Sequence, residues 1–257
     1  MPATRSVPAV SGSPATGTRS QSGTPVVDVH NHVLTPAVED LIRQHYSPEE
    51  IVANEPNDLY AGGKSATHNR SLKPELTPKM TDAAQRVRDM DRVGVDIQVL
   101  ATFVSQFYYW TEGELGQQIA RIQNDWVAEL ASSHPSRFSA LGTLPMQDST
   151  RAVAELEYVV SDLGFTGVQI SSNVDGRDLD DPRFLPRRVH FDTMVFTPEQ
   201  ITHLLEFAGA DHILLGTDHP FDMGEPDPVG LTGKLDVSEA ERALIRGGNA
   251  VRLFGLE

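Results

Sequence analysis

His30 and His32 close the stretch PVVDVHNH (25–32), separated by a single residue. On an extended strand side chains alternate, so residues two apart share a face. Both imidazoles would then project the same way. A neutral imidazole is a good ligand for zinc and related divalent ions, and a catalytic zinc takes about three protein ligands and keeps one position open for water. Water held there becomes a usable nucleophile or acid near neutral pH. Two histidines do not make a site, and a structural pair is the plainer reading of the motif by itself. LLGTDHPF (214–221) offers a third donor: an apolar run breaks at Gly216–Thr217 and ends on Asp218. Alone, Asp218 would cap a turn before Pro220. With His30 and His32 it completes a set of two imidazoles and one carboxylate, provided that the first and last strands lie side by side.

Other histidines are weaker candidates. His190 and His219 flank strand ends. His190 and Asp192 are two apart and would share a face, with His190 expected to pack and Asp192 to be structural or to support a ligand. His219 follows Asp218 and should point elsewhere, as a pocket wall. His45, His68, His134, His203 and His212 fall in expected loops and helices. FVSQFYYW (103–110) follows the second strand and would either line a pocket or pack.

The elements that must position these residues alternate. Strand-like runs occur at PVVDVHNH, DIQVLATF (96–103), FSALGTLP (138–145), TGVQISS (166–172), RVHFDTMVF (188–196) and HILLGTDHP (212–220). Helical patterns lie between them: PAVEDLIRQH (36–45), DAAQRVRDMDRVG (82–94) ending at Gly94, and a helix with Ile119, Ile122, Trp126 and Leu130 on one face. The next carries Val153, Leu156, Val159, Val160 and Leu163 as a stripe before Gly164. TPEQITHLLEFAG (197–209) opens with Thr197 as N-cap and Pro198 at the first helical position, and a last helix spans about 238–246. Residues 46–81 read as a polar loop long enough to form a lid or pocket wall. Alternating strands and helices predict an α/β domain with a mainly parallel sheet. A (β/α)8 TIM-barrel-like fold is the expected relative, because titratable residues recur at strand C-terminal ends.

The rhythm breaks once. NVDGRDLDDPRFLPRR (173–188) is polar, Pro-interrupted and without an apolar stripe, although parallel neighbours need a crossover of about a dozen residues, usually a helix. Six strands are counted where a barrel has eight.

Composition narrows the function classes. Thirty-six acids against 21 bases give a formal charge of −15. Such a chain repels phosphate backbones, so no nucleic-acid partner is expected. No apolar run approaches the length of a membrane span, so no membrane is expected either. Cysteine is absent, which excludes disulfides and thiolate metal sites and fits a reducing, cytoplasmic setting. Residues 1–24 are rich in small residues and Pro, cannot bury enough surface to offset their ordering entropy, and read as a disordered N-terminal tail. Arg5 and Arg19 without an acid give that tail the charge of a transit peptide, but it lacks an amphipathic face. The folded domain is then 25–257.

DVHNH (28–32), GTLPMQD (142–148), LGFTGVQI (163–170), HFDTMV (190–195), LLGTDHPFDMGEPDP (214–228) and GNAVRLFGLE (248–257) occur in an order that resembles the amidohydrolase superfamily, in its decarboxylase branch. The resemblance covers nearly the whole chain outside the tail. It implies a metal-dependent barrel, often a homodimer, that removes CO2 from an aromatic or unsaturated carboxylic acid. Relatives hydrolyse lactones or amides on the same scaffold. It also implies His30, His32 and Asp218 as ligands of Zn or another divalent metal such as Mn, with Asp218 the catalytic carboxylate. Two further histidines of the family pattern, an apolar–His–Pro ligand on the fifth strand and an Ala–His–Gly–Gly acid/base on the sixth, have no counterpart here. The chain passes from DDPRFLP, resembling the end of the fourth unit, to RRVHFDTMVF, resembling the seventh strand. The resemblance therefore implies a barrel lacking its fifth and sixth β/α units near 173–188. Loss of general acid/base help typically costs about 10²–10⁴-fold. A non-catalytic shortened form that associates with full-length partners is the third expectation, beside decarboxylase and hydrolase.

Overall fold

The structure is a computed structural model that describes residues 24–54, 74–171, 173–174, 177–178, 190–195, 197–221 and 224–256. The expected tail and most of 173–188 lie outside the described residues.

The strands that matter for the site are short and parallel. β1 (Val27–Asp28) and β2 (His32–Val33) both lie along β3 (Ile97–Thr102), with Val27 opposite Ile97 and His32 opposite Ala101. β3 also pairs with β4 (Phe138–Ala140). The chain bends at Leu141, and β5 (Gly142–Thr143) pairs with β6 (Val168–Gln169). On the other side, β9 (Phe191–Asp192) pairs with β10 (Ile213–Leu214). The first and last strand segments are joined by Val29 N donating to Leu215 O (2.9 Å), Asp218 N to His30 O (2.7 Å) and His32 N to His219 O (2.9 Å). The row therefore runs β6, β5/β4, β3, β1/β2, β10, β9. β7 (Asn173–Val174) and β8 (Arg177–Asp178) form an antiparallel pair apart from it. Among the described residues, β6 and β9 are each paired on one side only.

All six residues of β3 are buried, as a strand covered on both faces requires. Helices Ala83–Val93, Gly113–Ser133 and Ser149–Ser161 follow β2, β3 and β5. They enclose a core of Val33, Met90, Leu100, Val127, Phe138, Val159 and Leu215. A second core, Ile201, Ile213, Leu231, Leu235 and Ile245, joins helix Pro198–Ala208 to the C-terminal helices.

Three expectations change. Residues 46–81 are not simply loop: helices cover Pro48–Asn54 and 74–81. The first is started by Ser47 and Glu50, whose side chains and backbone N–H groups satisfy each other reciprocally at 2.8 and 3.3 Å. Helix Ser149–Ser161 buries Ala152, Glu155 and Val159, whereas Val153, Leu156 and Val160 are 58%, 38% and 50% exposed. The inward face is set by the buried Glu155, which accepts from Arg121 and Asn124 of the preceding helix. Val159 also presses on the strand, where a Cβ at Gly142 would stand 2.6 Å from its Cγ1. On helix Gly113–Ser133, finally, the buried face includes Gln123 and Asn124, while Ile122 and Trp126 are only half-buried.

Candidate metal centre

His30 and His32 lie where the first strand passes between β3 and β10, two residues apart as strand alternation requires. Their rings stand 5.3 Å apart, edge to face at 86°. Asp218 reaches both: its Oδ1 is 3.0 Å from His32 Nε2 and 3.6 Å from His30 Nε2. One donor atom from each of the three side chains lies within 4.8 Å of the others. Sequence reasoning thus placed all three, and the structure brings them together.

Two backbone features allow this approach. A Cβ at Gly216 would stand 2.6 Å from His30 Cβ, so only glycine lets the last strand close on the first. Asp218 adopts φ +57°, a left-handed conformation that Asp tolerates better than most residues, and this turns its carboxylate back over the histidine pair.

Beneath the cluster lies a buried polar layer. Asp28 accepts from Thr217 N (3.1 Å), Thr217 Oγ1 (2.7 Å), Gln98 Nε2 (2.8 Å) and His30 N (3.2 Å). It thereby clamps the first strand to the last. Burial pushes the Asp28 carboxyl up to about 6, against these hydrogen bonds. The fully buried Arg86 donates to Asn31 Oδ1 (3.1 Å), Gln98 Oε1 (3.0 Å) and the His32 carbonyl. Burial lowers its guanidinium to about 10, opposed by the charges of Asp28 and Asp89. Sequence reasoning missed this layer. Its one local signal was Arg86 on the inward stripe of its helix, with Asp89 and Met90.

Electrostatics split the two histidines. Burial lowers His32, with Asp218 opposing. Burial also pulls on His30, but a hydrogen bond from Nδ1 to Asp192 Oδ2 (2.7 Å) and the nearby carboxylates raise it overall. The same contact lowers Asp192 against its own burial.

The secondary candidates fall elsewhere. His219 points away from the cluster, its Nε2 3.4 Å from Asp89 Oδ2, and burial together with Arg86 holds it down to about 3. The His190 ring stacks on that of His212 at 5.0 Å, while Asp192, two residues on, faces His30. Of FVSQFYYW, Phe103 lines the site with Phe221, both within 5.8 Å of the His32 ring. Phe107, Tyr108 and Tyr109 pack into separate clusters.

A parallel β/α row with two imidazoles on its first strand and a carboxylate on its last defines the class: an α/β protein whose strand ends converge on a donor set suited to a divalent cation. The chain belongs to the amidohydrolase family, whose profile matches residues 27–189 and 183–256. It is 33% identical over 170 residues to the 2-amino-3-carboxymuconate-6-semialdehyde decarboxylase of Dictyostelium discoideum, a match covering 62% of this chain and 44% of that protein. The chain thus matches less than half the length of this relative. Among solved structures it resembles the 5-carboxyvanillate decarboxylase of Sphingomonas paucimobilis (18% identity, TM-score 0.72), over 91% of this chain and 100% of that one. It also resembles the Novosphingobium aromaticivorans enzyme complexed with manganese and 4-hydroxy-3-methoxy-5-nitrobenzoic acid (16% identity, TM-score 0.72), over 96% and 100%. At such identities the likeness is one of fold, the TIM-barrel architecture of this superfamily.

Proposed function

We propose that this chain is a divalent-metal-dependent decarboxylase, a carboxy-lyase acting on an aromatic or unsaturated carboxylic acid, with 25–257 as its barrel domain. The observation that carries this reading is the convergence of His30 Nε2, His32 Nε2 and Asp218 Oδ1 at the strand ends. The donor set fits Zn or Mn by type, and the relatives' names supply the reaction class. His30, His32 and Asp218 would hold the cation, which when bound supplies Lewis-acid polarisation of substrate oxygens. Phe103 and Phe221, their rings 5.2 Å apart and tilted by 36°, offer an apolar wall for a ring. Asp218 is the catalytic carboxylate, holding or releasing a proton beside the substrate. The ring carbon bearing the carboxylate gains a proton; the C–C bond then breaks, and its electrons return to the ring as CO2 leaves.

A second reading is favoured by a separate observation. The family match comes in two pieces that meet at 183–189, and β6 and β9 are one-sided among the described residues. Both support a barrel of six strands lacking its fifth and sixth units, able to hold a cation yet slow or silent in turnover. The proposed setting is the cytoplasm, with a small carboxylic acid as ligand and a homodimer as assembly.

The test is to strip the purified chain with chelator, reload it with Mn2+ or Zn2+, and offer 2,6-dihydroxybenzoate, 5-carboxyvanillate, lactones and amides. Metal-dependent CO2 release that Asp218→Asn abolishes supports the decarboxylase. Metal uptake without turnover supports the second reading. Lactone or amide cleavage without CO2 release overturns both in favour of a hydrolase.

A further inference from the structure

Asp192 lies 162 residues from His30 in sequence, yet its Oδ2 is 2.7 Å from His30 Nδ1. Its other oxygen, Oδ1, accepts the Met194 backbone N–H at 2.8 Å. The carboxylate is therefore held at both ends. Its strand is held as well: Leu214 pairs with Asp192 in register, Thr193 N donates to Leu214 O (3.0 Å), and Gly216 N donates to Thr193 Oγ1 (3.0 Å). This scaffold belongs to the same strand pair that delivers Asp218.

Resting on the cation reading above, we infer that Asp192 is a positioning residue. By accepting a hydrogen bond from Nδ1–H it fixes the tautomer and ring plane of His30, leaving the Nε2 lone pair aimed at the point shared with His32 and Asp218. A neutral imidazole carries one proton, and whichever nitrogen holds it is lost as a ligand. Without Asp192, the adjacent Asp218 oxygen, 3.6 Å from Nε2, would draw the proton there and block the donor. Carboxylates that hold a ligating histidine in this way typically contribute about 10–100-fold in metal affinity.

The experiment compares wild type, Asp192→Ala and Asp192→Asn by Mn2+ titration calorimetry. A second readout is the 15N chemical shifts of the His30 ring in the metal-free chain at alkaline pH. The expected result is about 10–100-fold weaker Mn2+ binding in D192A, with partial rescue in D192N, whose side-chain oxygen still accepts from Nδ1. The His30 proton should sit on Nδ1 in wild type and move to Nε2 in D192A. Equal Mn2+ affinity in wild type and both variants, or an unchanged His30 tautomer in D192A, overturns the positioning role. A wild-type chain that binds no Mn2+ overturns the cation reading instead, and the ring shifts then decide the role of Asp192 alone.

Discussion

Asp218 is the residue on which the two halves of the site meet, since one of its oxygens, Oδ1, faces both histidines. Replacing it with Asn keeps shape but halves the acceptor character and removes the charge. Mn2+ affinity should fall by more than the ~10–100-fold typical of a supporting residue, as read by calorimetry or by metal content after dialysis. Asp28 makes a different prediction, about pH. Its folded-state value of about 6 lies above the ordinary 3.8, so the folded chain binds this proton more tightly than the unfolded one. The cost of burying its charge is present above pH 6 and relieved as pH falls toward 4. At about 1.4 kcal/mol per pH unit, the wild type should gain about 3 kcal/mol relative to Asp28→Asn across that window. Urea unfolding of both chains in chelator at pH 4 to 7 measures it.

At the scale of elements, the Glu155 side chain is fully buried and accepts Arg121 through both oxygens at 2.9–3.1 Å, with Asn124 Nδ2 at 2.8 Å. Asn124 in turn holds β5 through Thr143 N and O. Glu155→Ala should destabilise the fold by about 2–4 kcal/mol. This lies toward the low side for a broken buried pair, because Arg121 is 40% exposed and can rehydrate. A urea midpoint shift checks it. This contact also explains what the sequence concealed. Apolar periodicity picked Val153, Leu156 and Val160, but a charged partner 34 residues away turned Glu155 inward instead. Conversely, the helix at Pro48–Asn54 has its sequence signal in the Ser47–Glu50 capping pair rather than in an apolar period, because its surroundings are polar. The proximity of His30, His32 and Asp218 was legible because strand alternation, a barrel-like closure of first on last strand and the family resemblance all pointed to the same three residues. Asp192 was legible only as a structural or supporting group, with no sign that His30, 162 residues away, is its partner, and Arg86 showed only its place on an inward helical stripe, not its contacts across 55 residues.

For the whole molecule, four of the exposed large apolar side chains lie on the helices next in sequence to strands that, among the described residues, are paired on one side only: Val153, Leu156 and Val160 before β6, and Phe207, 76% exposed, after β9. Unpaired edges and apolar patches favour association, while a charge of −15 opposes it. Sedimentation equilibrium should therefore show self-association that strengthens with salt as the repulsion is screened. Leu156→Glu with Val160→Lys should weaken it at least tenfold while leaving Mn2+ uptake unchanged. The central claim, that the first strand of the chain and the turn after its last strand build one cation site, is tested most directly by anomalous diffraction from crystals of the chain grown with Mn2+. The account predicts a single strong peak at about 2.0–2.3 Å from His30 Nε2, His32 Nε2 and an Asp218 oxygen. No peak there at saturating Mn2+, or a peak held by other residues, would contradict it.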